Sequence, residues 1–147
     1  MAYCIALSVI LADRLIKFLV MVNLRPGEPV VIFPFLNLTY LKNTGIAFSL
    51  FHGANNILVW INAAVILFLM GILYSSKDET RSLRAAYALI MGGALSNLWD
   101  RIAYGAVIDF IDFKIWPVFN IADTAITAGA ALIAYNLISA CREKKKN

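Results

Sequence analysis

The sequence predicts a membrane all-α bundle of four transmembrane helices with a small outer β-cradle, and three observations carry that prediction. Apolar residues make up 61% of the 147, and the mean hydropathy is +0.76, where an ordinary soluble domain is about one-half apolar. Only 15% of the residues are charged, too few to cover a water-soluble core of this size, so lipid is the simplest solvent. Four apolar stretches of helical length recur along the chain, separated in two places by segments with the alternation of short strands. No internal repeat or low-complexity linker interrupts them, and residues 1–147 read as one integral membrane domain.

The first span covers about residues 2–22. It reads as a span rather than a signal peptide, because no basic segment leads it and Asp13, Arg14 and Lys17 interrupt its second half. The second, residues 55–74, carries no charge over a length that crosses roughly 30 Å of hydrocarbon. The third, residues 85–98, is short, and Gly92, Gly93 and Ala94 let a neighbouring helix approach closely. The fourth, residues 121–140, opens with Asp123, Thr124 and Thr127 and becomes apolar toward its end, which places its first turns at the water boundary.

Lys and Arg set the direction of the spans. Lys77, Arg81 and Arg84 in the middle connection join Arg142, Lys144, Lys145 and Lys146 in the tail, seven against the four of Arg25, Lys42, Arg101 and Lys114. Both ends of the chain and the middle connection are therefore expected on the cytoplasmic side. The net charge of +4 sits largely in that membrane-flanking tail, and without aromatic-interleaved basic patches it does not point to nucleic acid. Cys4 and Cys141 fall near the two ends, on one side, as free thiols, and neither has the ligand spacing of a metal site.

On the outer side, Val30 to Phe33 and Leu36 to Leu41 read as strands punctuated by Pro26, Gly27, Pro29 and Pro34, and Val107 to Phe113 also reads as extended. A sheet edge inside lipid leaves backbone groups unpaired, so the sheet is expected on the outer membrane surface.

Ionisable residues beside apolar spans cost about 2.5–3.5 kcal/mol each at a helix centre, less near an interface, so clusters of them need a reason. Asp13 and Lys17, four apart, share a helix face and form a structural ion pair when read alone. Asn97, Asp100 and Arg101 share another face; Arg101 reads either as a carboxylate or phosphate fork, or as an interfacial arginine with Asp100 as its partner. Asn120, Asp123, Thr124 and Thr127 form a polar stripe that fits either helix capping or a reactive site. In the extended stretch, period 2 places Asp109 and Asp112 on opposite faces, and only one of them can meet Asp123; periodicity does not choose. Two carboxylates at a low-dielectric boundary share one proton. The ionised member can then draw a proton from water attacking a peptide carbonyl, while the protonated one polarises the carbonyl oxygen. That chemistry needs no metal or cofactor.

With those residues placed, the chain resembles the lipoprotein signal peptidases, or signal peptidase II. The matching segments, in order, are the Asp13 and Lys17 pair, Asn43 to Phe48, Gly92 to Arg101, Gly105 to Phe110, and Phe119 to Asp123. The resemblance implies four spans with an outer β-cradle in the bacterial inner membrane. It also implies an aspartyl endopeptidase that cleaves a prolipoprotein before its diacylglyceryl-modified cysteine, with membrane lipid as its surroundings and no oligomer required. The catalytic pair then falls on Asp109 and Asp123, against Asp112. Asn43, Gly45, Asn97, Arg101 and Asn120 support substrate and dyad; Asp13, Lys17 and Asp100 are structural or order the substrate. Ile16 departs from the family, which usually carries Ser or Thr before the lysine. The competing reading, a proton-coupled small membrane transporter, calls for acids near the midplane and repeat symmetry, and neither is visible.

Overall fold

Thr80 and Gly105 set the length of the helix that organises the others. Thr80 Oγ1 accepts from Leu83 N–H at 3.2 Å as an N-cap, and Gly105, at φ 70°, donates its amide to Arg101 O at 3.1 Å to close the other end. This helix, α3, runs Arg81–Tyr104, beyond both ends of the apolar stretch 85–98, because its capping residues lie outside the hydrophobic window. The computed structural model describes residues 1–45, 55–75 and 80–144. The remaining helices are α1 (Ala2–Asn23), α2 (Asn55–Ser75) and α4 (Ile121–Lys144), and the strands are β1 (Val30–Phe33), β2 (Leu36–Asn43) and β3 (Val107–Asp112).

Small residues on α3 determine how closely its neighbours come. A Cβ on Gly92 would lie 2.7 Å from Ala6 O of α1, and one on Gly93 would lie 2.4 Å from Ala122 O of α4. Gly129 of α4 repeats the device, with a Cβ there meeting Ala86 O at 2.7 Å. Numbers rise together along α1 and α3, from Ala6 beside Gly92 to Lys17 beside Asp100, so these two helices run the same way. They run oppositely along α3 and α4, where Gly93 faces Ala122 and Asn136 Nδ2 donates to Ser82 Oγ at 2.9 Å. Asn55 Nδ2 of α2 donates to Arg101 O at 3.3 Å, while Leu69 packs with Ala88, so α2 is also antiparallel to α3. The four helices alternate in direction. The strands gather where α3 ends, and Cys4 and Cys141, both free and exposed, lie toward the other end.

The sheet is antiparallel in the order β1-β2-β3. Leu38 pairs Ile111 and Leu41 pairs Asp109, so β2 holds one more residue than β3 between those pairs, a bulge. Val20, Tyr40, Ile108 and Phe110 pack together under the sheet, and Ile16 joins them, filling apolar space instead of bonding to Lys17. The strand expectations hold, with β2 extended to Asn43 and β3 ending at Asp112 rather than Phe113.

Two helices, α2 and the Ile121–Arg142 part of α4, are long and apolar enough to cross a membrane. The other two bring the charged residues described below. Leu11, Leu15, Phe18, Trp60, Phe68 and Leu137 point outward from the helices and are all exposed.

The glycine contacts give a direct test. Gly93→Ala forces α3 and α4 apart and lowers stability by about 1–3 kcal/mol, whereas Gly71→Ala, with nothing within 4 Å of the new Cβ, leaves thermal unfolding in detergent unchanged or slightly raised.

Candidate active site

Lys17 is fully buried, and its ammonium group has three donors. They go to Asp13 Oδ2 at 2.7 Å, Asp100 Oδ2 at 2.7 Å and Asn97 Oδ1 at 3.1 Å. Both carboxylates, also fully buried, are satisfied further. Asp13 accepts from Ser96 Oγ at 2.6 Å and from Ala122 N–H at 3.0 Å, and the latter caps the start of α4 from α1. Asp100 accepts from Ile108 N–H at 3.1 Å and pairs with Arg14. The expected Asp13–Lys17 pair is thus part of a network with four charged residues, and Asp100 turns to Arg14 and Lys17 rather than to Arg101.

Lys17 also fixes an amide. Because the ammonium only donates, Asn97 must present Oδ1 to it, which directs Asn97 Nδ2 to Asp123 Oδ1 at 2.8 Å. Asn97 Oδ1 accepts from Asn120 Nδ2 as well, at 3.2 Å.

Asn120 is oriented by the same logic. It caps α4, with Oδ1 accepting Asp123 N–H at 2.8 Å, and Asp123 Oδ2 reciprocates by accepting Asn120 N–H at 3.3 Å. The other side of the amide, Nδ2, therefore faces β3 and donates to Asp109 Oδ1 at 2.7 Å. Asn43 Nδ2 donates to Asp109 Oδ2 at 2.9 Å, and Asn43 Oδ1 is held by Gly45 N–H at 3.0 Å. Asp123 takes part in the α4 cap and also accepts from the Asn97 amide, so capping leaves its carboxylate beside Asn97 and Asn120. Each oxygen of Asp109 and Asp123 holds one protein donor, which leaves further lone pairs for a water or a substrate.

Asp109 is buried on β3, and burial together with the nearby Asp123 charge pushes its carboxyl up to about 7, against the pull of the Asn43 and Asn120 hydrogen bonds. Arg101 reaches the same place from α3. Its NH1 donates to Asn97 O at 3.5 Å, its charge acts on Asp123 and Asp109, and its buried Nε has no hydrogen-bond partner among the described residues.

Asp112 goes elsewhere. Asn37 Nδ2 donates to it at 3.4 Å, Thr39 Oγ1 at 3.5 Å and Lys114 N–H at 2.7 Å, all at the opposite end of β3. The polar stripe on α4 dissolves beyond Asp123: Thr124 Oγ1 bonds back to Asn120 O at 3.0 Å, and Thr127 is exposed. Ser96 and Arg14 belong to the network and were not singled out by sequence; the serine sits one residue before Asn97, and the arginine one after Asp13. Of the matching segment Asn43 to Phe48, Ile46 to Phe48 lie outside the described residues. Among the described residues, no three of His, Cys, Asp and Glu gather as metal ligands.

A family model described as signal peptidase (SPase) II matches residues 5–139. The chain belongs to the signal peptidase II family. A lipoprotein signal peptidase from Halothermothrix orenii is 42% identical over 134 residues, which cover 90% of this chain and 92% of the relative. One from Yersinia enterocolitica is 45% identical over 139 residues, covering 89% and 82%. A bacterial membrane enzyme solved by the in meso method at 2.3 Å superposes with a TM-score of 0.93 at 30% identity, over 99% of this chain and 92% of its own. A second, at 1.9 Å, gives 0.84 at 30% identity over 92% and 91%. The chain is therefore a membrane peptidase of the family that removes signal peptides from prolipoproteins. Nothing supports the transporter reading; the buried acids Asp13, Asp100 and Asp109 gather at the sheet end of the bundle.

Loss of Lys17 tests the network. Lys17→Met leaves Asp13 and Asp100 buried without their shared cation, a change that costs about 3–5 kcal/mol. The expected result is a large drop in the unfolding temperature in detergent, and little change would show that the network does not hold the helices.

Proposed function

We propose that the whole chain acts as one four-span aspartyl endopeptidase in which Asp109 and Asp123 cleave prolipoproteins before the diacylglyceryl-modified cysteine. The observation that carries this is Asn120, whose single amide donates to Asp109 and accepts from the backbone of Asp123, bringing two carboxylates from a strand and a helix to one place. All four helices cross the bilayer, with α1 and α3 hiding their charges against each other. The bias of Lys and Arg puts both ends of the chain in the cytoplasm and the sheet at the outer face of the bacterial inner membrane.

The pair shares one proton. Asp109, whose carboxyl is raised to about 7, is assigned the acid, and Asp123, the more solvent-exposed of the two, is assigned the base. Water attacks the peptide carbonyl carbon as Asp123 takes its proton, and the carboxylic acid of Asp109 donates a hydrogen bond to the carbonyl oxygen. The tetrahedral intermediate collapses with cleavage of the C–N bond. The departing nitrogen, that of the modified cysteine, receives a proton from the dyad, which returns to its singly protonated state. The proton belongs to the pair over the whole cycle. Arg101, with its unpartnered Nε, supports a substrate backbone carbonyl, and Asn43, Gly45 and Asn97 hold the dyad in register. A substrate whose cysteine carries two acyl chains is anchored in the bilayer, so a site at the junction of bundle and sheet meets its scissile bond at the lipid surface. No oligomer is required, because every residue of the site comes from one chain.

Cleavage of diacylglyceryl-modified prolipoprotein in detergent, followed by gel shift, distinguishes the aspartates. Asp109→Asn and Asp123→Asn lose at least about a hundredfold in turnover while remaining folded, and Asp112→Asn keeps most of it; normal cleavage by either of the first two variants would falsify the dyad.

The raised Asp109 carboxyl sets the sign of the pH response. Its proton is present below about pH 7 and is lost as pH rises through that value, so turnover falls on the alkaline side. Rates measured from pH 5 to pH 9 that keep rising past pH 8 would contradict the assignment of Asp109 as the acid.

A further inference from the structure

Beside the ion network, α1 and α3 leave a cavity of about 540 Å³ lined by Ile10, Arg14, Leu95, Ser96, Trp99 and Tyr104. None of these side chains touches Asp109 or Asp123. Asp100 turns one oxygen to Arg14 and the other to Lys17 and Ile108 N–H, so Arg14 stands on a different side of that carboxylate from the interior network. Along α3 the cavity runs from Leu95 past Trp99 to Tyr104, about 13 Å of helix. Its sheet end is polar, where Arg14 NH2 donates to Tyr104 Oη at 3.5 Å and the guanidinium carbon lies 5.9 Å from the tyrosine ring centroid. Its deeper end, at Ile10 and Leu95, is apolar.

Arg14 is the one charged residue of this lining, and it is partly exposed, at 23%. A guanidinium has five N–H donors, and the bonds to Asp100 and Tyr104 use two. We propose that the groove holds an anionic phospholipid of the surrounding bilayer. Its phosphate sits on the remaining Arg14 donors and the Tyr104 hydroxyl, and an acyl chain lies along Trp99, Leu95 and Ile10. A basic residue between spans, at the level where a bundle meets its surface sheet, has the charge and planar geometry that phosphate oxygens match. The diacylglyceryl group of a substrate carries no phosphate and leaves those donors unmet. The inference rests on α1 and α3 standing in the bilayer, and it is read by lipid binding, independently of cleavage.

Native mass spectrometry of the full-length protein released from detergent, titrated with phosphatidylglycerol or with diacylglycerol of the same chains, tests it. Wild type retains phosphatidylglycerol in preference to diacylglycerol. Arg14→Gln, which removes the phosphate partner, and Leu95→Trp, which fills the groove and leaves the Arg14–Asp100 pair in place, each lose about tenfold in affinity. Unfolding in lipid-free detergent shows which variants are folded, and if Arg14→Gln is not, Leu95→Trp alone decides. Phosphatidylglycerol binding undiminished in the folded variants overturns the site. Equal retention of diacylglycerol by wild type overturns the phosphate and assigns the groove to a glyceride instead.

Discussion

The buried ammonium of Lys17 is the interaction on which the rest of the molecule depends. An unpaired charge inside a bundle facing lipid is too costly to persist, so the fold must bring acceptors to it. Three arrive: Asp13 from its own helix, and Asp100 and Asn97 from α3. Each of these is committed in turn to a further element, Asp13 to the start of α4 and Asp100 to the backbone of β3. One cation thereby fixes the rotation of α1 against α3, the position of the α4 N-terminus and the placement of the first residues of β3. Arg14 brings the count of positive charges in the cluster level with the two carboxylates, so the network is neutral as a unit.

That neutral network has a chemical consequence at a distance. Lys17 decides which way Asn97 faces, and Asn97 then donates to Asp123; the α4 cap decides which way Asn120 faces, and Asn120 then donates to Asp109. Two primary amides with fixed orientation hold the carboxylates without using up their acceptor capacity. Close backbone contact makes this geometry attainable, because Asn97 lies one turn beyond Gly93, where α3 presses on Ala122. Packing by small residues and polar order in the site are thus the same feature seen from two sides.

The candidate site sits where the helix bundle meets the sheet. The helices below it present apolar side chains outward, and the sheet above it closes over Ile108 and Phe110. Asp109 is buried there and Asp123 half-buried, and burial together with the nearby Asp123 charge raises the Asp109 carboxyl. The groove at Arg14 lies on another side of Asp100, which gives the cluster one face toward Asp109 and Asp123 and one toward the groove.

Much of this was legible in the sequence. Period and composition located the four helices and all three strands, and the spacing of Asp13 with Lys17 and of Asn97 with Asp100 and Arg101 put the right residues on shared faces. Helix ends were legible only in part, since α3 is bounded by the caps Thr80 and Gly105 rather than by hydropathy. Periodicity alone left Asp109 and Asp112 equal, and it was the resemblance to a family that separated them. The tertiary structure alone decided that Asp100 pairs with Arg14 and Lys17 instead of Arg101, that Ser96 serves Asp13, and that Thr127 is exposed. These are contacts between residues more than 80 positions apart for Asp100 and Ser96, and they depend on how far each helix is turned about its axis. Local sequence sets which residues share a face; the angle of that face is set by where two backbones can touch, which glycines and alanines on different helices determine together.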